Sequence, residues 1–184
     1  MTRPVNMAHT PGQEPAHLTI RPTTPADRPV LERLWQLFRH DMSEVSGSLP
    51  DPTGQFRRER LDALFTDPGR RGLIAHLEPS DGTPASPVGF ALVRDVDHQT
   101  RVLTAFFVVR GARRAGVGRQ LAAQTLASFP GRWEIAFQDT NPPAVRFWRE
   151  VAATAVGQEW DEEHRAVPGR PDVPPDTWIS FTTA

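Results

Sequence analysis

The stretch Val102–Val109 reads VLTAFFVV, a run of apolar, β-branched and aromatic side chains broken only by Thr104. At eight residues it has the length of a strand, and its lack of polar alternation suits a strand buried on both faces. Such a strand belongs in the parallel part of a mixed sheet that helices cover. What surrounds the run agrees. His17–Pro22 reads as a short strand stopped by proline. Thr24 caps a helix with Pro25 at its first position and Asp27 in its first turn. Val30, Leu31, Leu34, Trp35, Leu37 and Phe38 then recur at helical spacing and carry that helix to about Val45. After the loop 46–52, Phe56, Leu61, Leu64 and Phe65 predict a second helix over about Gln55–Phe65. Gly72–Glu78 and Val88–Val96 read as strands around a turn-rich link.

Beyond the apolar run, the pattern predicts a helix to about Phe129 and a strand over Trp133–Gln138. A helix opens at Asn141-Pro142-Pro143 and runs through Val151. Strands near Thr154–Trp160 and Trp178–Thr182 flank the polar, Pro-rich segment 161–175. The order is βααβββαβαββ, one α/β domain over residues 17–184 with a mixed sheet. Residues 1–16 are polar and contain Pro4, Pro11 and Pro15, which predicts a disordered lead-in.

Composition excludes several chemistries. The chain has no Cys, no Tyr and no Lys; its 21 basic residues are all Arg. Thiolate nucleophiles, Cys-ligated metals, Schiff bases and the lysine of a phosphate-binding Walker loop are therefore absent. The six His show no paired metal-ligand spacing, and no Ser sits in a G-x-S-x-G elbow. The reading is a protein without a metal. The net charge of −1 gives no general case for nucleic acid or an anionic membrane. No apolar stretch approaches the ~20 residues of a membrane span. A cytoplasmic monomer or homodimer is the expectation.

The strongest local signal is the segment Val108-Val109-Arg110-Gly111-Ala112-Arg113-Arg114-Ala115-Gly116-Val117-Gly118-Arg119. A buried strand runs into a glycine turn that opens a helix. Such a helix start offers unpaired backbone N–H groups and the positive end of the helix dipole. Gly116 and Gly118 leave room for a ligand to approach, while Arg113, Arg114 and Arg119 add charge. A pyrophosphate cradle and a merely solvated arginine turn both fit these features. The dinucleotide fingerprint G-x-G-x-x-G is incomplete here, because Leu121 occupies the third glycine position.

Arg113-x-x-Gly116-x-Gly118 resembles the Q/R-x-x-G-x-G/A motif of the GNAT superfamily of acetyl-CoA-dependent N-acetyltransferases. Asn141-x-x-Ala144-x-x-Phe147-Trp148 resembles that family's N-x-x-A-x-x-F-Y segment, and the element order agrees over about residues 18–182. The resemblance implies a mostly antiparallel sheet whose one parallel strand pair, Val102–Val109 with Trp133–Gln138, splays into a V that holds acetyl-CoA, the acetyl donor. Backbone groups of Phe107, Val108 and Val109 would pair with the pantetheine arm. The Val108 amide would also face the oxyanion. The amides of Arg113, Arg114, Ala115, Gly116, Val117, Gly118 and Arg119 would hold the pyrophosphate. Asn141 would reach the pantetheine arm, though an N-cap before Pro142 explains it equally well. An amine acceptor would enter between the first two helices and the final hairpin.

The chemistry is less complete. Trp148 stands where the family often has a Tyr acid, and an indole N–H is far too weak an acid to protonate a thiolate. It is read as a cofactor-facing or core aromatic. The strand before the loop carries Thr104 and Ala105 rather than an acid. Glu134 is the remaining candidate base. Alternation places it with Ala136 and Gln138 on one face, where apolar neighbours would raise its pKa. A salt bridge with Arg132 or Arg101 is the competing role. The functional reading is N-acetyl transfer to a primary amine, and the alternative is a non-catalytic acyl-CoA-binding module or sensor. A binding protein for another phosphorylated ligand rests on the anion cradle alone.

Overall fold

The computed structural model describes residues 17–79 and 82–184; the lead-in expected over residues 1–16 lies outside them. Seven strands form one sheet: β1 (His17–Pro22), β2 (Arg71–Glu78), β3 (Ser86–Arg94), β4 (Thr100–Val108), β5 (Gly131–Phe137), β6 (Trp160–Arg165) and β7 (Asp176–Thr183). Four helices join them: α1 (Arg28–Ser46), α2 (Glu59–Thr66), α3 (Val117–Ser128) and α4 (Pro142–Val156). The element order is the one the periodicities predict. In space the strands run β1-β2-β3-β4-β5-β7-β6, antiparallel throughout except for β4 beside β5. Among the described residues, no helix is long and apolar enough to cross a membrane.

Two cores sandwich the sheet. On one face Leu31, Leu34 and Trp35 of α1 and Leu61 of α2 pack against Ile74, Phe90, Leu92, Ala105 and Phe107. On the other, Val117, Leu121 and Ala122 of α3 and Trp148, Val151 and Ala152 of α4 pack against Ala91, Leu103, Trp133, Ile135, Phe137 and Ile179. The strand β4 therefore buries side chains on both faces, which is why its sequence shows no polar alternation.

One irregularity shapes the site. Leu92 pairs with Ala105 and the next residue, Val93, pairs with Leu103, so Thr104 is an extra residue on β4. This bulge explains why Leu103 and Ala105, two apart, face opposite cores. The Thr104 hydroxyl donates to the Leu92 carbonyl at 3.1 Å, which helps seat the extra residue. Bulges bend a strand, and β4 leaves β5 here: their pairing covers Thr100–Leu103 against Arg132–Ile135 and stops. The expected splayed pair is present.

The first helix opens with a 3-10 turn over Pro25–Asp27 before α1 proper, and three elements depart further from the sequence expectation. The second helix begins at Glu59 rather than Gln55, because side chains of α1 take the preceding backbone. Gln36 accepts from Phe56 N–H and donates to Phe56 C=O, and the Trp35 indole donates to Arg57 C=O. The last helix runs past Val151 to Val156, ending at Gly157 with φ 68°. The strand expected near Thr154–Trp160 is accordingly displaced to Trp160–Arg165. The acidic run Asp161–Glu163 lies in that edge strand, where charge discourages further pairing.

Candidate active site

The V between β4 and β5 is lined by backbone, and register fixes which groups face it. Val108 pairs with Gly89, and Val109 N–H donates to Val88 C=O at 2.8 Å. That bond makes Val108–Gly89 a non-hydrogen-bonded pair, so Val108 turns its N–H and C=O away from β3 and toward the V. Phe106, two residues back, has the same orientation. Of the other two residues expected to meet the pantetheine arm, Val109 gives its amide to Val88, and Phe107 turns its backbone toward Phe90 of β3. Gly89 is required at this point, since a Cβ there would stand 2.6 Å from the Phe107 carbonyl oxygen.

The loop beyond β4 makes a short 3-10 turn over Arg110–Ala112 and then bends through two residues of positive φ, Arg114 at 68° and Gly116 at 81°. Gly116 is the N-cap of α3, and no side chain caps that end. The first intrahelical bond runs from Gln120 N–H to Gly116 C=O. The amides of Gly116, Val117, Gly118 and Arg119 are therefore left for another acceptor. A Cβ on Gly118 would meet Phe147 at 3.4 Å, so this helix start also packs closely on α4.

The arginine side chains add less charge than the sequence implies. Arg113 is bound to Asp41 of α1, and its Nε donates to the Val108 carbonyl at 2.8 Å. Arg119 pairs with Glu150 of α4 at 2.5 Å. Between α3 and α4 runs an apolar-walled groove of about 330 Å³, bordered by that ion pair and by Ala123, Phe147 and Val151. At this helix start the donors left open are backbone amides, more than the guanidinium groups.

Asn141 is the N-cap of α4: its Oδ1 accepts from Ala144 N–H at 3.3 Å, and its amide Nδ2 makes no hydrogen bond among the described residues. Trp148 is a core residue, 7% exposed, with its ring edge-on to Phe106 at 5.0 Å and to Phe147 at 4.8 Å.

Glu134 is held in a fork by Arg165, at 3.0 and 3.1 Å, and not by Arg132 or Arg101. Arg165 also binds Glu163 and lies 4.7 Å over the Trp178 ring. The hydrogen bonds from Arg165 outweigh partial burial and hold the Glu134 carboxyl below its ordinary value, opposite to the expected direction. Asp139, at the end of β5, accepts from Thr177 at 2.6 Å and meets His164 at 2.9 Å. Its carboxyl is also held low, first by Thr177 and then by His164. No group of three or more His, Asp or Glu suited to a metal ion occurs among the described residues.

The contact that sequence reasoning missed is Asp41. It lies on the helix face that also carries Leu34 and Phe38, and nothing local marks it as a partner of the loop 69 to 72 residues later.

The model of the acetyltransferase (GNAT) family matches residues 31–152. No curated protein sequence matches the chain. Among solved structures, an acetyltransferase from Thermus thermophilus superposes with a TM-score of 0.62 at 22% identity, over 90% of this chain and 96% of that one. A spermidine N-acetyltransferase variant from Vibrio cholerae gives 0.57 at 14% identity, over 90% and 93%. A ribosomal-protein-alanine N-acetyltransferase from Escherichia coli gives 0.59 at 12%, over 91% and 95%. At these identities the likeness is one of fold.

Proposed function

The chain belongs to the GNAT acetyltransferase family and is an acyltransferase; from that premise we propose that it moves an acetyl group from acetyl-CoA to a primary amine by direct attack in a ternary complex. The observation that carries this reading is the uncapped start of α3 behind a splayed β4–β5 pair. Free amides and a positive helix end suit a diphosphate. The open edge of β4 suits an extended amide-bearing arm, with Asn141 Nδ2 as a further donor from α4. Bound there, acetyl-CoA supplies the activated acetyl group. The Val108 N–H then serves to hydrogen-bond the thioester oxygen as charge builds on it. The acceptor is an amine of a small molecule or of a protein; the relatives' names include both kinds.

Calorimetry tests the donor directly: acetyl-CoA gives a saturable heat, and none at millimolar cofactor would sink the reading. In a thermal-shift series acetyl-CoA raises the unfolding midpoint and ATP or NAD does not. At a concentration near 100 Kd the added stability is about 2.7 kcal/mol. Release of free CoA across a panel of amines then separates catalysis from mere binding. A binding module stays in view because Trp148 replaces a phenol acid and β4 lacks a carboxylate. Such a module would bind acetyl-CoA and release no CoA with any amine.

Proton removal is assigned to water rather than to Glu134. A carboxylate below its ordinary pKa, locked in an arginine fork, is a poor base near neutrality. The rate is expected to rise with pH toward the amine's own pKa, without an enzyme-derived limb near pH 7. Glu134→Gln should keep that profile and lose less than about tenfold in kcat. A loss of roughly 100-fold or more, the scale of removing a general base, would make Glu134 the base instead.

A further inference from the structure

The loop that offers its amides is tied to a helix on the opposite face of the sheet. Arg110 donates through Nε to Asp41 Oδ1 at 3.0 Å, and Arg113 donates to Asp41 Oδ2. Arg113 has two further fixed contacts. Its Nε bonds the Val108 carbonyl, and its guanidinium lies 5.8 Å from the centre of the Phe107 ring. Asp41 is the anchored member of the network: its side chain is 19% exposed, against 66% for Arg110 and 43% for Arg113. The anchor is firm because α1 is pinned to the end of β4, with the Phe38 ring 6.1 Å from that of Phe107 and 5.9 Å from that of Phe90.

A carboxylate at the rim of an anion site works against the anion by its charge alone. What Asp41 provides is geometry. Two arginines, three residues apart across the 3-10 turn, converge on one carboxylate, and one of them also grips the last residue of β4. The chain from Val108 to Arg113 is thereby closed on itself, immediately before the positive-φ residues that open α3.

We infer that Asp41 is a positioning residue for the cofactor loop, holding Arg110 and Arg113 so that the turn between β4 and α3 presents its amides to the diphosphate. This rests on the acetyl-CoA reading above. Charge and geometry predict opposite signs for one substitution. Asp41→Asn removes a negative charge, so a purely electrostatic role would tighten acetyl-CoA binding. A positioning role weakens it, because an amide cannot accept from both arginines with charge assistance.

The test is calorimetry and steady-state kinetics with acetyl-CoA on wild type, D41N, D41E and R113Q. D41N is expected to raise Kd about tenfold, equivalent to about 1.4 kcal/mol, with KM for acetyl-CoA rising and kcat at saturation nearly unchanged. D41E, which restores the charge at longer reach, recovers part of the loss. D41N and R113Q act on one network, so the double variant binds about as weakly as the poorer single one. Unchanged or tighter binding by D41N, or fully additive losses in the double variant, overturns the assignment while leaving the cofactor reading intact. Wild-type protein that binds no acetyl-CoA overturns both.

Discussion

Gly116→Asp is expected to abolish detectable acetyl-CoA binding while leaving the protein folded. The position has φ 81°, a left-handed conformation that costs most L-residues roughly 1–3 kcal/mol and that Asp tolerates better than most. Space is no obstacle, since the nearest atom to a Cβ there is Gln120 Nε2 at 3.7 Å. Asp is also among the best N-cap residues, and its carboxylate would bond the very amides that α3 now leaves open. Helix stabilisation therefore offsets much of the backbone strain, and the unfolding midpoint should move by only a few degrees. Binding has no such compensation. The side chain occupies the anion's donors and sets a negative charge beside two phosphates, each contact costing about 1–4 kcal/mol at partly exposed separations near 4 Å.

A Kd raised by more than about 100-fold follows from two such repulsions, at about 1.4 kcal/mol per tenfold. Gly116→Asn is the control that separates the two effects. It caps the helix in the same way without the charge, so it should lose part of the affinity and keep the fold. If G116D bound acetyl-CoA with wild-type affinity in calorimetry, the start of α3 would not be the diphosphate site. Equal losses in both variants would assign the effect to occupied donors alone.

How much of this was legible beforehand depended on whether the signal was local. The α1 pattern, the buried β4 run and the strand–glycine–helix junction each follow from spacing within about a dozen residues, and all three are where the sequence puts them. The end of α4 was misplaced because the stretch Thr154–Trp160, with β-branched Thr154 and Val156, reads as a strand; its helical face, continuing Trp148, Val151 and Ala152, shows only when the partner surface is known. The Thr104 bulge leaves no mark in the composition of β4, yet it decides where the strands part. Glu134 shows the same limit. Alternation places it on the correct face, but its partner Arg165 comes from β6, two strands across, and reverses the direction of the expected shift. Ion pairs between distant elements, Asp41 with Arg113 above all, are set by topology and not by neighbours in the chain.

Asp27→Asn should produce a large loss of stability for the change of one polar side chain, and the loss should depend on pH. Asp27 is 7% exposed at the turn from β1 into α1. Its carboxylate accepts from Arg21 at 2.6 and 2.8 Å, from Thr24 N–H at 2.7 Å and from the Thr24 hydroxyl at 2.9 Å. The substitution leaves these donors a neutral amide with a single acceptor oxygen. Breaking a buried pair by removing one partner costs about 3–5 kcal/mol, but the Arg21 side chain is 41% exposed and regains water, so about 2–3 kcal/mol is the fitting expectation. For a domain of this size that lowers the unfolding midpoint by roughly 5–10 °C. Hydrogen bonds from Arg21, with those from Thr24, hold the Asp27 carboxyl far below its ordinary value. A folded-state pKa below the unfolded one contributes stability above the unfolded value, near 3.9, and loses it as pH falls toward the folded value. Wild type and D27N should therefore differ fully in denaturant midpoint at pH 7, and the gap should narrow steadily below about pH 4. A gap that stays constant down to pH 2 would show that shape, and not the charge of Asp27, holds the first turn of α1 to β1.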